Sequence, residues 1–584
     1  MICLESESRN LVLFYSYFPE SDDSSESGEE APTPTSWISV IGEDAGPDPV
    51  PFTAHPGPKH PPPSSASPVE YFNLFMTDGL VSRIVTETNT FASQFIQANQ
   101  QYLQDKPRSR VHYWIRQGGT TAEEFRAFLG VAVNMGLIKK SCQADYWDTI
   151  NPSQFTPWFV EHFSRNRFQL MMKFLHFANN EDMPAKDDPA YRLFKVQSLV
   201  DHFQTNFRRH YHPQQNVSVD ESMVGYKGKT PHLREFEPNK RHARFGIKLW
   251  MLSDATNGYA YNFEPAKGAP SQQDRLCPQG VTYSLVMRLL RESDLLSRGH
   301  HVGMDNYFTS PALLDELYAH QTTATGTVRV NRKGLPKLAL RRRLTNQQTV
   351  DFRRGQLLCT AFQDGKRRPI LLTTAVPAGF ATKRTRRGQN VRKPKVVLNY
   401  NKTMGGVDLG DARLYPYLAE RRTMKWTLKF AFNLFGRALL NAYIIYEANT
   451  RDRPKMKRHL FTVKIVESLA GHYHPPKVTR KRRSKAEIAA AREEAQIAVA
   501  GPSTGPSPGP SAGPSPGPSP GPSARPSTAT LGEGHELAKL PPKKKRNCVA
   551  SKHSNRVRSG WICRACDVGL CPECFAEYHK RPRY

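Results

Sequence analysis

The run Val217-Ser218-Val219-Asp220 alternates apolar and polar residues, a period of two that sets Val217 and Val219 on one face of a strand and Asp220 on the other. Phe245, Ile247, Leu249 and Met251 repeat the pattern. A turn-rich Asp254-Ala255-Thr256-Asn257-Gly258 leads into Tyr259, Tyr261 and Phe263, which predicts a hairpin. Leu285, Val286, Leu289 and Leu290 then fall on one helical face. A short strand ends at Met304-Asp305, and Ser310-Pro311 supplies an N-cap and a first-turn proline for a helix over 312–318. Thr322 to Val330 reads as one more strand. The order β, β, β, α, β, α, β defines an α/β domain with a mixed sheet.

Helical patterns lie on both sides of this core. Leu80, Val81, Ile84 and Val85 have helical spacing. Thr121-Ala122-Glu123-Glu124 is a capping-box pattern ahead of the apolar face Phe125, Phe128, Leu129, Ala132 and Val133. Ser164 caps a helix through Phe168, Met171, Met172, Phe174 and Leu175, so residues 68–215 read as α-rich. Helix returns from about 408 to 470. Residues 331–395 are dense in base: Arg341-Arg342-Arg343, Lys366-Arg367-Arg368, Lys383-Arg384, Arg386-Arg387 and Arg392-Lys393.

The ends are of different composition. Residues 1–67 are acidic over 21–30 and then Pro-rich, too poor in apolar surface to offset chain entropy, and read as a disordered tail. Such a tail either solubilises the chain or masks a basic surface in cis. Residues 476–547 form a basic and Gly/Pro/Ser-rich linker whose 501–526 stretch lacks the strict glycine period of collagen. Arg480 to Lys485 and Lys543-Lys544-Lys545-Arg546 are candidate nuclear localisation signals, so the nucleus is the expected compartment.

Charge and hydropathy exclude other classes. The 584 residues hold 82 Lys+Arg against 53 Asp+Glu, a net charge of +29 that calls for a polyanion such as nucleic acid. No apolar run reaches the ~20 residues of a membrane helix. The best candidate, Phe430 to Tyr446, is broken by Asn433, Arg437 and Asn441. Glu5 and Glu7 stand where a signal peptide needs cations. Five of the nine cysteines crowd into Cys548 to Cys574, with the spacing Cys548-x14-Cys563-x2-Cys566-x4-Cys571-x2-Cys574-x4-His579. Paired Cys-x2-Cys knuckles this close read as a zinc site in a reducing compartment, not as a secreted disulfide framework.

Asp220 and Asp305 sit on strands of one sheet. Asp408 and Asp411, in Gly405-Gly406-Val407-Asp408-Leu409-Gly410-Asp411, share a face if that segment is helical. Carboxylates converging in this way can hold two divalent metals ~3.5–4 Å apart for phosphodiester chemistry. The competing reading of each is a turn, cap or surface aspartate.

The segments Val219-Asp220-Glu221-Ser222, Arg244-Phe245-Gly246-Ile247-Lys248, Met304-Asp305-Asn306-Tyr307-Phe308-Thr309-Ser310 and Tyr400-Asn401-Lys402-Thr403-Met404-Gly405-Gly406-Val407-Asp408 occur in this order. Together they resemble the piggyBac family of DNA transposases, over roughly residues 68–470 plus the cysteine cluster. The resemblance implies an α/β RNase H-like catalytic core over 216–330 and 396–417, interrupted by a basic insertion domain over 331–395. It implies a helical dimerisation and DNA-binding domain in two parts, 68–215 and 418–475. Asp220, Asp305 and Asp408 would be catalytic, with Asp411 a further ligand of Mg²⁺ or Mn²⁺. The implied reaction is a metal-assisted nick at each element end, attack of the freed 3′-OH on the opposite strand to leave hairpin ends, and joining into a TTAA target. Terminal inverted repeats of double-stranded DNA would be the partner of a homodimer. Candidate DNA contacts are Lys248, Arg341, Arg342, Arg343, Arg386, Arg387, Lys425 and Trp426; the last matches a family position near the transposon end and reads otherwise as a packing tryptophan.

Residues 548–584 resemble the family's Cys-rich cross-brace, which would hold two Zn²⁺ through Cys548, Cys563, Cys566, Cys571, Cys574 and His579 and read terminal-repeat DNA. One position departs: Ser551 stands where the family has the second cysteine of the first knuckle, leaving His553 as a substitute ligand or one site weak or empty. A domesticated DNA-binding protein that no longer transposes is the alternative function. A RING-like ligase or chromatin reader explains neither the carboxylates nor the basic core. His300-His301 and His472-Tyr473-His474 read as structural or surface residues.

Overall fold

The structure, a computed structural model, describes residues 36–471 except 229, 231–232, 239, 241–242, 269–270, 385–387 and 420–423, then Tyr473, 537–540, 546–548, 558–566 and 568–575. These belong to two units, Met1–Val478 and Thr479–Tyr584.

In the first unit a ten-stranded mixed sheet holds β1 (Ile38–Ser39), β2 (Asn216–Gly225), β3 (Glu235–Phe236), β4 (Phe245–Asp254), β5 (Ala260–Pro265), β6 (His301–Met304), β7 (Thr323–Thr327), β8 (Thr349–Arg354), β9 (Leu357–Phe362) and β10 (Ile370–Thr373). Its order is β1-β8-β9-β10-β7-β6-β2-β4-β3, with β5 paired to β4. The predicted core is its middle: β5, β4 and β2 antiparallel, then β6 and β7 parallel to β2. β2 is covered on both faces, so Ser218, Asp220 and Ser222 are buried as completely as Val217 and Val219 on the other side.

The helices are α1 (Pro68–Asn73), α2 (Asp78–Ala98), α3 (Ala122–Leu137), α4 (Arg165–Phe174), α5 (Phe194–His210), α6 (Val281–Glu292), α7 (Pro311–Ala319), α8 (Lys395–Thr403), α9 (Gly406–Leu414), α10 (Trp426–Asn449) and α11 (Arg458–Ala470), with shorter turns between some of them. The caps read from the sequence are present: Thr121, Ser164 and Ser310 accept from the backbone N–H of Glu124, Arg167 and Leu313. The capping box closes only on one side, because the Glu124 carboxylate turns to Arg167 and to Thr120 Oγ1. α10 is buried along most of its length. The polar residues that break its apolar run all face inward. Asn441 exchanges both hydrogen bonds with the Ala260 backbone at 3.0 and 2.9 Å, and Arg437 Nε donates to Asn433 at 2.9 Å. Among the described residues, no helix is long and apolar enough to cross a membrane.

One expectation needs correction. Residues 36–67, expected as disordered tail, pack along the first unit: β1 pairs with β8, Trp37 Nε1 donates to the Gly334 carbonyl at 2.8 Å, and Asp44 forms a partly buried ion pair with Arg353. Composition averages hid this, because the partners lie some 300 residues away in sequence. Residues 331–395, expected as the basic insertion domain, contribute strands to the same sheet. β8, β9 and β10 continue the core sheet from β7, and every residue of β9 and β10 is buried. The basic runs fall between and beyond those strands, on the exposed Arg341–Arg343 loop, the Lys366–Arg368 turn and the hairpin of β11 (Phe380–Arg384) with β12 (Asn390–Pro394).

In the second unit, Leu537–Lys539 pairs with Trp561–Cys563, which pairs with Val568–Gly569; Arg546–Asn547 pairs with Arg558–Ser559.

Candidate active site

Alternation along β2 aims Ser218, Asp220 and Ser222 at one face, and α9 lies on that face. Each meets a group of α9 in turn. Val407 N–H donates to Ser218 Oγ at 3.2 Å; Ser222 Oγ donates to the Asp411 carboxylate at 2.8 Å. Between them, Asp220 and Asp408 share the ammonium of Lys240, at 3.4 Å from Asp220 Oδ2 and 2.9 Å from Asp408 Oδ1. The approach of α9 depends on its glycines. A Cβ on Gly406 would lie 2.5 Å from Ser218 Oγ and 2.8 Å from Ala255 Cα. One on Gly410 would lie 2.8 Å from the carbonyl oxygen of Gly258, itself at φ +75°.

Asp305 arrives from the neighbouring strand. β6 runs parallel to β2 with Met304 beside Val219, so the next residues, Asp305 and Asp220, come side by side. Asp305 Oδ1 accepts from Tyr307 N–H at 2.9 Å, and its carbonyl accepts from Thr309 N–H and Oγ1 at 3.2 and 2.6 Å. Burial, then the Asp220 charge, pushes the Asp305 carboxyl up to about 7. Burial also raises Asp220, against the opposing pull of Lys240. Burial would lower Lys240, but the Asp220 and Asp408 charges outweigh it and hold the ammonium above the ordinary lysine range. Asp408 is half-exposed, in the first turn of α9, where the helix dipole favours a carboxylate. These carboxylates are an oxygen-only donor set, which fits hard divalent cations such as Mg²⁺ or Mn²⁺.

The other expected residues are placed differently. Asp411 lies one turn beyond Asp408, and its carboxylate is held by Ser222 and, at 3.0 Å, by Arg437 Nη2, with both side chains of the ion pair 3% exposed. Lys248 is paired with Glu235 at 3.0 Å and Glu237 at 3.6 Å and lies over Trp250. Lys425 is exposed at the N-cap of α10; Trp426 is partly buried against the main core. Arg341, Arg342 and Arg343 are exposed. Arg386, Arg387, His553, His579, Lys543, Lys544 and Lys545 lie outside the described residues, and Arg546 starts a two-residue strand. His300 and His301 are structural, fully buried in the sheet. Lys240, Ser218, Ser222 and Arg437 were not singled out in the sequence. Arg437 carried a readable signal, since a charge in an apolar helix demands a buried partner; Lys240 had none among 82 basic residues.

In the second unit the Sγ atoms of Cys548, Cys571 and Cys574 all lie within 4.8 Å of one another, with Cys548 and Cys571 3.9 Å apart. Three converging thiols suit zinc. Cys563 and Cys566 are outside this group of three.

A family model described as Transposase IS4 matches residues 67–443, more than half of the chain. The chain belongs to that family, the piggyBac-type transposases. It is 28% identical over 407 residues to human PiggyBac transposable element-derived protein 2, a match that takes in 66% of this chain and 62% of that protein. It is 25% identical over 536 residues to human PiggyBac transposable element-derived protein 3, covering 88% of this chain and 76% of the relative. The fold is similar to a piggyBac transposase solved by cryo-EM as a synaptic complex with hairpin DNA. The TM-score is 0.62 at 23% identity, over 78% of this chain and 90% of the solved one.

Proposed function

We propose that this chain is a cut-and-paste DNA transposase in which Asp220, Asp305 and Asp408 hold two divalent cations, Mg²⁺ or Mn²⁺. The observation that carries the reading is the convergence of these carboxylates from β2, the end of β6 and the first turn of α9. When bound, the cations polarise the attacking oxygen and neutralise charge at the scissile phosphate. The chain does the positioning: register between parallel strands sets Asp305 beside Asp220, and the Ser218, Ser222 and glycine contacts fix α9, and so Asp408, on β2.

The finer reading is binding of terminal inverted repeats by a homodimer, excision through hairpin ends and integration at TTAA. Its support is the motif set, the net charge of +29, and the likeness to a transposase solved with hairpin DNA. Zn²⁺ held by the Cys548, Cys571 and Cys574 group would build the end-reading module, with His553 as a substitute ligand for the cysteine that Ser551 replaces or that site weak or empty. The two basic runs support a nuclear location. A domesticated DNA-binding derivative is the second reading, favoured by Ser551 and by relatives named transposable element-derived.

The test is strand cleavage by the purified protein with Mg²⁺ on duplexes copied from DNA flanking its own gene, against Asp305→Asn. Nicks and hairpins at a TTAA boundary, absent from the variant, support transposition. Tight binding without cleavage supports the derivative instead.

A further inference from the structure

We infer that Lys240 is a tethered counter-cation of the catalytic carboxylates: its ammonium occupies the space between Asp220 and Asp408, and divalent cations enter only by displacing it. The inference rests on the carboxylates being a metal site, as proposed above.

The ammonium uses the same atoms a metal would. It is 2.9 Å from Asp408 Oδ1 and 3.4 Å from Asp220 Oδ2, and only 8% of the Lys240 side chain is exposed. The buried Asp220 carboxylate and the half-exposed Asp408 carboxylate repel, and Asp305 adds a third beside Asp220. A monovalent ammonium offsets part of that repulsion and holds Asp408 onto β2. It cannot remain when two dications claim the same lone pairs, because like charges at contact distance in a buried site are strongly disfavoured. Lysine suits exchange: its charge is a point on a flexible four-carbon stem, without the fixed fork of arginine. Lys240 lies between β3 and β4, outside both, so its head can swing away with no strand moving. Arg437 and Asp411, one turn along α9, are a contrasting pair with both side chains 3% exposed and strand, helix and α10 all engaged.

The test uses the zinc-loaded full chain. Amine labelling at neutral pH, read by mass spectrometry, compares Lys240 with and without Mn²⁺; Lys248, paired with Glu235 and Glu237, is the internal reference. Displacement predicts a several-fold rise in Lys240 labelling at Mn²⁺ saturation and no change at Lys248. Calorimetry then compares Mn²⁺ affinity. Lys240→Met should bind about tenfold tighter or more, because no buried ion pair has to be broken first, whereas Lys240→Arg, which keeps the charge, should bind no tighter than wild type. Mn²⁺ that binds wild type, is lost in Asp305→Asn, and leaves Lys240 as protected as before would overturn the inference while sparing the metal site. Absence of any Asp305-dependent Mn²⁺ binding would overturn both.

Discussion

Asn in place of Asp411 separates two roles for that residue, metal ligand and structural anchor. Arg437 Nη2 lies 3.0 Å from Asp411 and 2.6 Å from Ser222 Oγ, and the same Ser222 oxygen donates to Asp411. Asp411→Asn keeps the shape and removes the charge, so it leaves the buried guanidinium without its counter-ion. Breaking a buried pair from one side costs about 3–5 kcal/mol. In a unit of roughly 440 residues, 1 kcal/mol corresponds to about 1 °C in Tm, so the melting point should fall by about 3–5 °C. Arg437→Met should do comparable damage, because it takes the guanidinium away from a buried carboxylate. The double variant should fall short of the summed losses by about 2 kcal/mol or more, since both single variants break the same ion pair. Thermal melts of the full chain give these numbers, and Mn²⁺ titration gives the other half of the test. Metal affinity in Asp411→Asn should stay within a few-fold of wild type. An unchanged Tm with collapsed Mn²⁺ affinity would refute the reasoning and return Asp411 to the ligand set.

Gly406→Ala forces a Cβ to within 2.9 Å of Ser218 Oγ, Ala255 Cα and the Asp254 carbonyl, so it should cost ~1–3 kcal/mol in melts and lower cleavage by shifting Asp408. Acid should destabilise the first unit through His300 and His301, which are buried and held down at about 4, mainly by burial. His301 Nε2 accepts from Asn399 Nδ2 at 3.1 Å, which also demands a neutral ring. The unfolded chain takes up protons below ~6.5, so stability is full above that pH, falls on the way to pH 4, and is down by about 2 kcal/mol per histidine at pH 5. Melts at pH 7.5 and pH 5 should show this, with a smaller drop in His301→Gln. Deleting residues 1–66 should lower Tm, because it removes β1 and the Asp44–Arg353 pair.

The period-two runs at 217, 245 and 259 located the core strands because apolar residues alternate along each, and local turn chemistry fixed the hairpin. The aspartates were legible through motif order. Their convergence was not, since it follows from the β2–β6 register and from glycines that let α9 sink onto β2. Lys240 and the placement of β1 were hidden for one reason: each acts only through a partner far along the chain. Basic residues around β9 and β10 masked two fully buried strands, so the continuation of the core sheet through 331–395 was not legible in the composition.

The early position of β1 has a consequence for synthesis of the chain. Trp37 and its acceptor Gly334 are 297 residues apart. At ~5–20 residues per second, β1 emerges some 15–60 s before the strand it covers. Strand edges left bare invite pairing between neighbouring chains. Here the cover is already waiting when β8 leaves the ribosome, so the newest edge of the sheet can be capped in cis as soon as it forms. A chain that starts later, at residue 68, would expose that edge at the moment when nascent copies on one message are most crowded.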